Sequence, residues 1–268
     1  MKKQFRLGVI GCNLIAQTIV KGAVLSDFLS KRKIIVSGAS VENAEALEDI
    51  GVQIVEDDKY VFENSEYLLI ALTADQLKAV TKNLGTVKQA KIISVSEVLK
   101  KSEIKDILGV SSVKVARGIA NLPCVIGSGA VGLDMSDFNS SFDDAEFVSN
   151  LFNCIGTVLS MDESKFDALI GLSLNGPAYV FMLIDSLIDA GVKQGLKKSE
   201  AKLLAVQTVM GSAEMAGRDE YSLSELTMKA CNNGGTALEG VKVFEKHNFR
   251  DIIDEAVDSG VKRLKELD

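Results

Sequence analysis

The sequence predicts an α/β protein in two parts, a doubly wound parallel sheet at the N-terminus and an all-helical domain at the C-terminus. As far as about residue 160, short apolar strands alternate with helices, which is the pattern of a parallel sheet covered on both faces. Beyond that point only helical periodicity remains, and strands followed by helices indicate two domains. We therefore predict one domain over residues 1–160 and a second over residues 161–268.

The elements of the first domain follow from apolar runs and amphipathic spacing, taken in chain order. Strands are predicted at 5–10, 33–37, 52–55, 67–72, 91–96, 112–116, 124–133 and 156–161. Helices are predicted between them at 15–26, 41–50, 59–64, 75–84 and 98–108. Because ligands of such sheets bind at the carboxyl ends of the strands, the segments 11–15, 37–40 and 71–74 should lie along one ligand-binding edge.

The second domain is organised around a helix predicted from Gly176 to Gly195. Asn175 is expected to cap it, Pro177 suits its first turn, and Gly195 suits a left-handed stop. The apolar positions of this helix exceed one narrow stripe, so it should be buried on several sides, in part by a second subunit. Further helices are predicted at 163–172, 198–216, 235–246 and 248–267, with a capping box at 222–225.

Composition and charge argue against several classes of protein. The net charge of −7 and the pI of about 5.0 disfavour nucleic acid and anionic membranes as partners. No uninterrupted apolar run reaches the roughly 18 residues of a membrane span. The four cysteines lie far apart without metal-type spacing, which predicts reduced thiols in a cytoplasmic protein. The single histidine, His247, excludes a multi-histidine metal site.

A glycine turn follows the first strand and has the form of a dinucleotide-binding turn. The segment 11–16 matches Gly-x-Gly-x-x-Ala, except that Asn13 replaces the second glycine. In Rossmann-type sheets the first glycine makes the turn, the second admits the pyrophosphate, and the helix N-terminus faces the phosphates. Asn tolerates left-handed geometry, so the turn predicts a dinucleotide, bound more weakly than with glycine, or else a turn without a ligand. The cofactor-binding candidates here are Gly11, Cys12, Asn13, Leu14 and Ile15.

The end of the second strand bears on the choice of dinucleotide. Sheets that prefer NAD usually carry an acid there, whereas this chain has a Ser-Gly-Ala-Ser segment. No carboxylate is present there to repel the 2′-phosphate of NADPH, so NADPH is favoured and NADH stays possible. Ser37 and Ser40 are the candidate ligands of that phosphate, or ordinary loop serines. The next segment at the same edge adds Ala71, Leu72 and Thr73 as cofactor-binding candidates.

A pair of glycines before the helix at 235–246 forms a second candidate site. Gly234 and Gly235 would expose backbone N–H groups at a helix N-terminus, which attracts a carboxylate. Thr236 places a hydroxyl in the first turn of that helix, where it could donate a hydrogen bond to the bound ligand. The alternative interpretation is a plain Gly-Gly turn followed by a threonine cap.

Three segments resemble signatures of the pyrroline-5-carboxylate reductase family. GLSLNGPAYVFMLIDSLIDAGVKQGL at 171–196 resembles the first helix of that family's dimerisation domain, and CNNGGTALEG at 231–240 resembles Cys-Ser-Pro-Gly-Gly-Thr-Thr-x-x-Gly. Arg117, Asn121 and Pro123 keep the frame of a third signature, Arg-x-Met-Pro-Asn-Thr-Pro. Asn121 is therefore either a carboxamide ligand of the nicotinamide or substrate, or a turn residue before a proline. The resemblance covers almost the whole chain.

The departures from the family pattern fall where the substrate would bind. The family's second threonine, which would donate to the imine, is Ala237 here, and Asn232 and Asn233 replace Ser-Pro. Leu174 and Asn175 replace Gly-Ser. The resemblance still implies that a substrate carboxylate lies against the backbone of 234–237, with Gly234, Gly235, Thr236, Ala237 and Asn175 as substrate-binding candidates and Thr236 and Asn175 as catalytic ones.

The resemblance implies an NAD(P)H-dependent oxidoreductase that acts on a CH-NH bond. It would reduce 1-pyrroline-5-carboxylate to L-proline and would assemble as a homodimer or as a larger oligomer built on dimers. The altered pocket leaves two alternatives open. One is a paralogue that reduces another small imine or keto acid, and the other is a weakly catalytic dinucleotide-binding dimer.

Overall fold

The computed structural model describes residues 3–38, 44–84, 90–218, 220–231 and 235–266, with the backbone alone at 44–46. The chain forms two compact units. The first, here called the sheet unit, comprises residues 1–174 and 261–268, and the second, the helical unit, comprises residues 175–260. The helical segment at 163–174 thus belongs to the sheet unit, and the domain boundary near residue 160 stays a prediction.

Eight strands form one sheet in the order β3-β2-β1-β4-β5-β6-β7-β8. The first six are parallel, as predicted, but β7 is antiparallel to β6, and β8 is parallel to β7. The predicted parallel sheet is therefore confirmed, with one antiparallel pairing, between β6 and β7. The strands are β1 (Phe5–Ile10), β2 (Ile34–Ser37), β3 (Gln53–Val55), β4 (Ser65–Ile70), β5 (Lys91–Ser94), β6 (Lys114–Ala120), β7 (Gly129–Asp134) and β8 (Gly156–Ser160).

The reversal at β7 has a local cause. A 3₁₀ turn, Leu122–Ile126, follows β6 directly and ends at Gly127, whose φ of 74° is left-handed. No crossover helix separates the two strands, and a parallel connection needs a dozen or more residues. The first part of the strand predicted at 124–133 is therefore this turn.

Helices cover both faces of the sheet. One face packs against the first and fifth helices, and its core includes Ile19, Val20, Val148 and Phe152. The other face packs against the second, third and fourth helices. The helix at 142–153 was not predicted, and the described part of the predicted helix at 41–50 is a 3₁₀ helix, Ala44–Ile50. The helices are α1 (Leu14–Leu25), α2 (Asp58–Asn64), α3 (Ala74–Leu84), α4 (Lys101–Leu108), α5 (Phe142–Asn153) and α6 (Phe166–Leu169).

The helical unit follows the predicted pattern closely. The left-handed stop at Gly195 is confirmed by its φ of 100°. The capping box is also confirmed, because the Ser222 N–H donates to the Glu225 carboxylate at 2.8 Å and the Glu225 N–H donates back to the Ser222 hydroxyl. The helices are α7 (Gly176–Lys193), α8 (Lys198–Ala216), α9 (Leu223–Cys231), α10 (Thr236–Lys246) and α11 (Phe249–Lys265), the last of which ends in the sheet unit.

The helical unit buries few apolar side chains within a single chain. Its core cluster consists of Ile188, Ala201 and Ala205, whereas Phe181 is 54% exposed and Leu203 is 71% exposed. The helical stretch Glu163–Lys193 has a mean hydropathy of 1.4 in its most apolar window and is long and apolar enough to cross a membrane, on length and composition alone. It meets that criterion on mean hydropathy, whereas Asp167 and Asp185 keep its longest uncharged run below 18 residues, as predicted. Only 11% of that window is buried.

Candidate active site

The carboxyl ends of the central strands meet at one edge of the sheet unit. In the ladders, Ile10 pairs with both Ser37 and Ile70, and Ile70 pairs with Ser94. From β1 the chain adds β2 and β3 on one side, and then β4 and β5 on the other side. The position between β1 and β4 is therefore the topological switch point, where doubly wound sheets bind ligands. The predicted gathering of the segments after β1, β2 and β4 at this edge is therefore confirmed for the described residues.

Gly11 is the residue at this edge whose substitution would be tolerated least. Its φ is 87°, in the left-handed region. A Cβ on Gly11 would lie 2.5 Å from the Ala71 carbonyl oxygen and 2.8 Å from Leu72 Cδ2. Glycine is thus required both by the turn and by the close approach of the segment that follows β4.

The start of α1 presents free N–H groups at this turn. Asn13 caps the helix by accepting a hydrogen bond from the Ala16 N–H at 2.9 Å. Its φ is −64°, so the left-handed geometry considered from the sequence does not arise. The N–H groups of Leu14 and Ile15 donate no main-chain hydrogen bond within the part of the chain that the structure describes. A phosphate oxygen is the natural acceptor for such groups at a helix N-terminus.

Cys12 lies beside this turn, but its thiol is not of the reactive kind. Its side chain is buried, and burial raises the pKa of its thiol to about 11, although Lys21 acts to lower it. The thiolate is therefore scarce at neutral pH. Any contribution of Cys12 to cofactor binding would come from its backbone.

Ser37 is not available as a phosphate ligand. It is fully buried, and its hydroxyl donates to the Asp58 carboxylate. The sequence interpretation failed here because the partner lies on another element, 21 residues away. Ser40, the second predicted ligand, lies outside the described residues.

A carboxylate that was not predicted from the sequence lies beside the end of β2. Glu56 follows β3, and its Oε1 lies 2.8 Å from the point where a Cβ of Gly38 would be. Gly38 is the residue directly after β2 and donates its N–H to the Val55 carbonyl at 2.7 Å. The signal was the Glu-Asp-Asp run after the third strand, which is distant in sequence from the end of the second strand. The end of β2 therefore does face an acid, contrary to the expectation.

The segment after β4 contributes mainly backbone atoms to the candidate edge. Leu72 is buried in the core of the sheet, and the Ala71 N–H extends the ladder to the Ile10 carbonyl at 3.0 Å. Thr73 is exposed and caps α3, because its hydroxyl accepts from the Gln76 N–H at 3.3 Å and its own N–H donates to the Gln76 side chain. Thr73 is thus the only one of the three predicted residues whose side chain faces the solvent side of this edge.

Asn121 has both ends of its carboxamide occupied. Its Oδ1 accepts from the Ala130 N–H at 2.9 Å, and its Nδ2 donates to the Ser173 carbonyl at 3.2 Å. The predicted offer of this carboxamide to the nicotinamide or substrate is therefore not supported by the structure. Asn121 instead ties the end of β6 to β7 and to the segment that precedes α7.

A buried arginine holds the loop after β5 in place. Arg117 is 3% exposed and donates to the carbonyl oxygens of Ser96 and Glu97, at 3.2 and 2.5 Å, and to the Glu163 carboxylate at 2.9 Å. It therefore connects the middle of β6 to the loop after β5 and to the start of the helical segment at 163–174.

A second buried pair extends this network. Lys101 donates to Asp134 at 2.7 Å, and Asp134 also accepts from Ser136 and from the Glu163 N–H. Burial acts to raise the pKa of Asp134, but these hydrogen bonds outweigh it and lower the pKa. The carboxylate is therefore ionised at neutral pH and fixes the turn after β7.

Asn175 does not cap α7 with its side chain. Its backbone is already helical, with φ −81° and ψ −25°, because a π-helical turn, Ile170–Leu174, leads directly into α7. Its Nδ2 lies 2.7 Å from the point where a Cβ of Gly260 on α11 would be. Asn175 thus occupies the N-cap position, as predicted, but its side chain makes no capping hydrogen bond, and its role in substrate binding stays a prediction.

Gly235 leads into α10 as predicted. Gly235 has an extended backbone at the N-cap position, and Thr236 and Ala237 are exposed in the first turn. The Thr236 side chain makes no hydrogen bond to the described residues and does not cap the helix. Gly234, Asn232 and Asn233 lie outside the described residues. Among the described residues, no side chain caps this helix N-terminus, which is the kind of position that binds an anionic group.

Comparison with known proteins gives two family matches. Residues 163–267 match the family model described as pyrroline-5-carboxylate reductase dimerisation. Residues 6–97 match the model described as NADP oxidoreductase, coenzyme F420-dependent. These ranges contain the helical unit and the candidate edge as far as the loop after β5.

The chain is also similar to whole proteins along its length. It is 30% identical to a pyrroline-5-carboxylate reductase of Pisum sativum, over 100% of this chain and 97% of that protein, and 31% identical to one of Arabidopsis thaliana, over 99% and 96%. Among solved structures, a pyrroline-5-carboxylate reductase of Coxiella burnetii has a TM-score of 0.85 at 27% identity, over 100% and 99%. The fold is shared by a Plasmodium falciparum pyrroline carboxylate reductase with NADP bound, at a TM-score of 0.83 and 24% identity, over 99% of each chain.

Proposed function

The chain belongs to the pyrroline-5-carboxylate reductase family, and from that premise we propose that it reduces 1-pyrroline-5-carboxylate to L-proline with NADPH. The cofactor supplies the hydride for the imine carbon, and the imine nitrogen gains a proton. The observation that carries the proposal is the turn at Gly11, in a chain that is similar to these reductases over its whole length.

The residues of the candidate edge fit a dinucleotide. The left-handed Gly11 turn and the free N–H groups of Leu14 and Ile15 would hold the pyrophosphate. Cys12 and Asn13 contribute backbone to the same turn. Ala71, Leu72 and the exposed Thr73 would line the path toward the nicotinamide end, at the neighbouring strand. Ser37 is excluded from this set, because its hydroxyl is bound to Asp58.

The residues of the Gly-Gly segment fit a carboxylate. In the proposed reaction, the N–H groups of Gly234, Gly235 and Ala237 bind the substrate carboxylate, and Thr236 and Asn175 bind the ring. Arg117 and Asn121 act as positioning residues of the edge rather than as ligands, since their polar atoms are bonded to protein. Residues 1–160 would thus bind the cofactor and residues 161–268 the substrate.

The reaction is tested by the oxidation of NADPH with 1-pyrroline-5-carboxylate, beside a panel of other cyclic imines and small keto acids. We expect the highest kcat/KM with the pyrroline carboxylate. A higher kcat/KM with another compound on the panel would identify a paralogous reductase. Binding of NADPH without turnover of any compound would identify a dinucleotide-binding dimer with little catalysis.

Substitution of Glu56 by glutamine should strengthen the binding of NADPH selectively. A carboxylate beside the end of β2 repels a 2′-phosphate, and an exposed pair of charges at about 4 Å interacts by roughly 1 kcal/mol in water. We therefore expect the KM for NADPH to fall by about threefold to fivefold, while the KM for NADH changes little. Steady-state kinetics with both coenzymes measure this effect, and Glu63→Gln on α2 is the matched control. Equal shifts for both coenzymes would contradict the assignment.

We place the active protein in homodimers or in oligomers built on them. The helical unit leaves Phe181, Leu187, Leu203 and Phe244 exposed in a single chain, and the matching family model describes dimerisation. A dimer interface would cover this apolar surface and account for the hydropathy of the stretch Glu163–Lys193 without a membrane. The four free cysteines support a cytoplasmic location.

Substitution of Phe181 by aspartate should dissociate the oligomer. Burying an unpaired carboxylate in an apolar interface is costly, so we expect the dissociation constant to rise at least about tenfold. Sedimentation velocity over a range of protein concentrations measures the change. Gln194→Asp, which adds the same charge at the polar end of α7, should leave the assembly intact. An unchanged oligomer in the Phe181 variant would place the interface elsewhere.

A further inference from the structure

A cavity of about 370 Å³ opens at the edge of the sheet opposite the cofactor turn. Its lining includes residues at the amino ends of three neighbouring strands, namely Ser65 and Glu66 of β4, Lys91 of β5 and Lys114 of β6. Lys3, just before β1, and Ser112, just before β6, complete the polar part of the lining. The cavity belongs wholly to the sheet unit, and none of the residues named above for the cofactor or the substrate lines it.

The cavity is surrounded by more positively charged than negatively charged side chains. Glu66 is neutralised by Arg6 and by Lys91, whose Nζ lies 3.2 Å from it. Lys91 also lies 2.6 Å from Asp144, and the Lys114 Nζ lies 4.0 Å from the same carboxylate. Together with Lys3, this makes four cations against two carboxylates, in a chain whose net charge is −7. A surplus of two positive charges in an acidic protein indicates a site for a dianion.

The other lining groups narrow the chemistry of the ligand. Lysines are point-charge ligands of phosphate groups, and within the described residues the Lys3 Nζ makes one hydrogen bond, to the Glu63 carbonyl. Phe62 and Leu68 form an apolar wall beside these polar groups. A carboxylate carries a single charge, whereas a phosphate monoester carries nearly two at neutral pH and can bring a small apolar group.

We propose that this cavity binds a small phosphate monoester, with Lys3, Lys91 and Lys114 as the ligands of the phosphate and Phe62 and Leu68 against the organic part. The site lies at the amino ends of the strands whose carboxyl ends form the cofactor edge. Its ligand therefore does not compete with the dinucleotide, and the proposal does not depend on the reaction assigned to the protein.

The test is calorimetric titration of the full-length protein with phenyl phosphate in chloride buffer, with NADP⁺ present so that the Gly11 turn is filled. We expect one saturable site per chain, and weaker binding of benzoate, which has the same ring and one charge. Lys3→Met and Lys114→Met should each weaken binding by about fivefold. The control Lys78→Met, on the exposed side of α3, should bind as the wild type does. Lys91 is left unchanged because it bridges two carboxylates, those of Glu66 and Asp144, at 3.2 and 2.6 Å.

The proposal is overturned if phenyl phosphate shows no saturable binding, if benzoate binds as tightly, or if both lysine variants bind as the wild type does. Should those variants fail to fold, amide chemical shifts of the wild type decide the question. Shifts induced by phenyl phosphate at Ser65 and Lys114 support the site, and shifts confined to residues 11–16 overturn it.

Discussion

Replacement of Gly11 by alanine is expected to lower kcat/KM for NADPH by about 10²-fold. The residue has a φ of 87°, and a Cβ there would lie 2.5 Å from the Ala71 carbonyl oxygen. Non-glycine residues in the left-handed region cost about 1–3 kcal/mol, and the overlap with a backbone atom must also be relieved by moving the turn. Such movement displaces the N–H groups of Leu14 and Ile15, and misplacement by about 1 Å can cost roughly 10²-fold in rate.

The chain provides a matched control in Gly127. Its φ of 74° is similar, but a Cβ there would meet no atom within 4 Å. Gly127→Ala therefore carries the conformational penalty without the steric overlap, and it should lower the melting temperature while leaving the KM for NADPH unchanged. Kinetics and thermal unfolding of both variants separate the two effects. If Gly11→Ala changed stability and KM no more than Gly127→Ala does, the turn would not be the cofactor site.

The sequence was sufficient to predict the features that depend on interactions between residues close together in the chain. Gly11 was predicted from a turn between a buried strand and a helix, and β1 and α8 have the predicted bounds, because each is defined by residues within a few positions. The capping box at Ser222 and the stop at Gly195 succeeded for the same reason.

The predictions failed where the partner is distant along the chain. The Ser37 hydroxyl is taken by Asp58, and the Asn121 carboxamide by Ala130 and Ser173, which no pattern of neighbouring residues reveals. The direction of β7 depends on a 3₁₀ turn whose sequence, Leu-Pro-Cys-Val-Ile, reads as an apolar strand. Residue type therefore indicated which groups could act as ligands, and tertiary contacts decided which of them are free to do so.

Thr236 is the side chain whose loss should most impair the chemical step. Transfer of a hydride to the imine carbon requires a proton at the nitrogen, and positioned proton donors contribute about 10²–10⁴-fold to such reactions. The Thr236 hydroxyl is exposed in the first turn of α10 and makes no hydrogen bond within the described residues, so it is free to donate. We expect Thr236→Val to lower kcat by about 10²-fold, with Thr236→Ser close to the wild type, measured at saturating NADPH.

The neighbouring Ala237 makes this prediction sharper, because it occupies the position at which the family pattern has its second threonine. Ala237→Thr should raise kcat about tenfold if that position approaches the imine more directly than Thr236 does. In the double variant, Thr236→Val with Ala237→Thr, the new hydroxyl should then restore the rate lost in the single variant. A double variant as slow as Thr236→Val would show that the two positions are not equivalent and that only Thr236 reaches the nitrogen. Full activity in Thr236→Val would remove threonine from the reaction and leave solvent as the proton source.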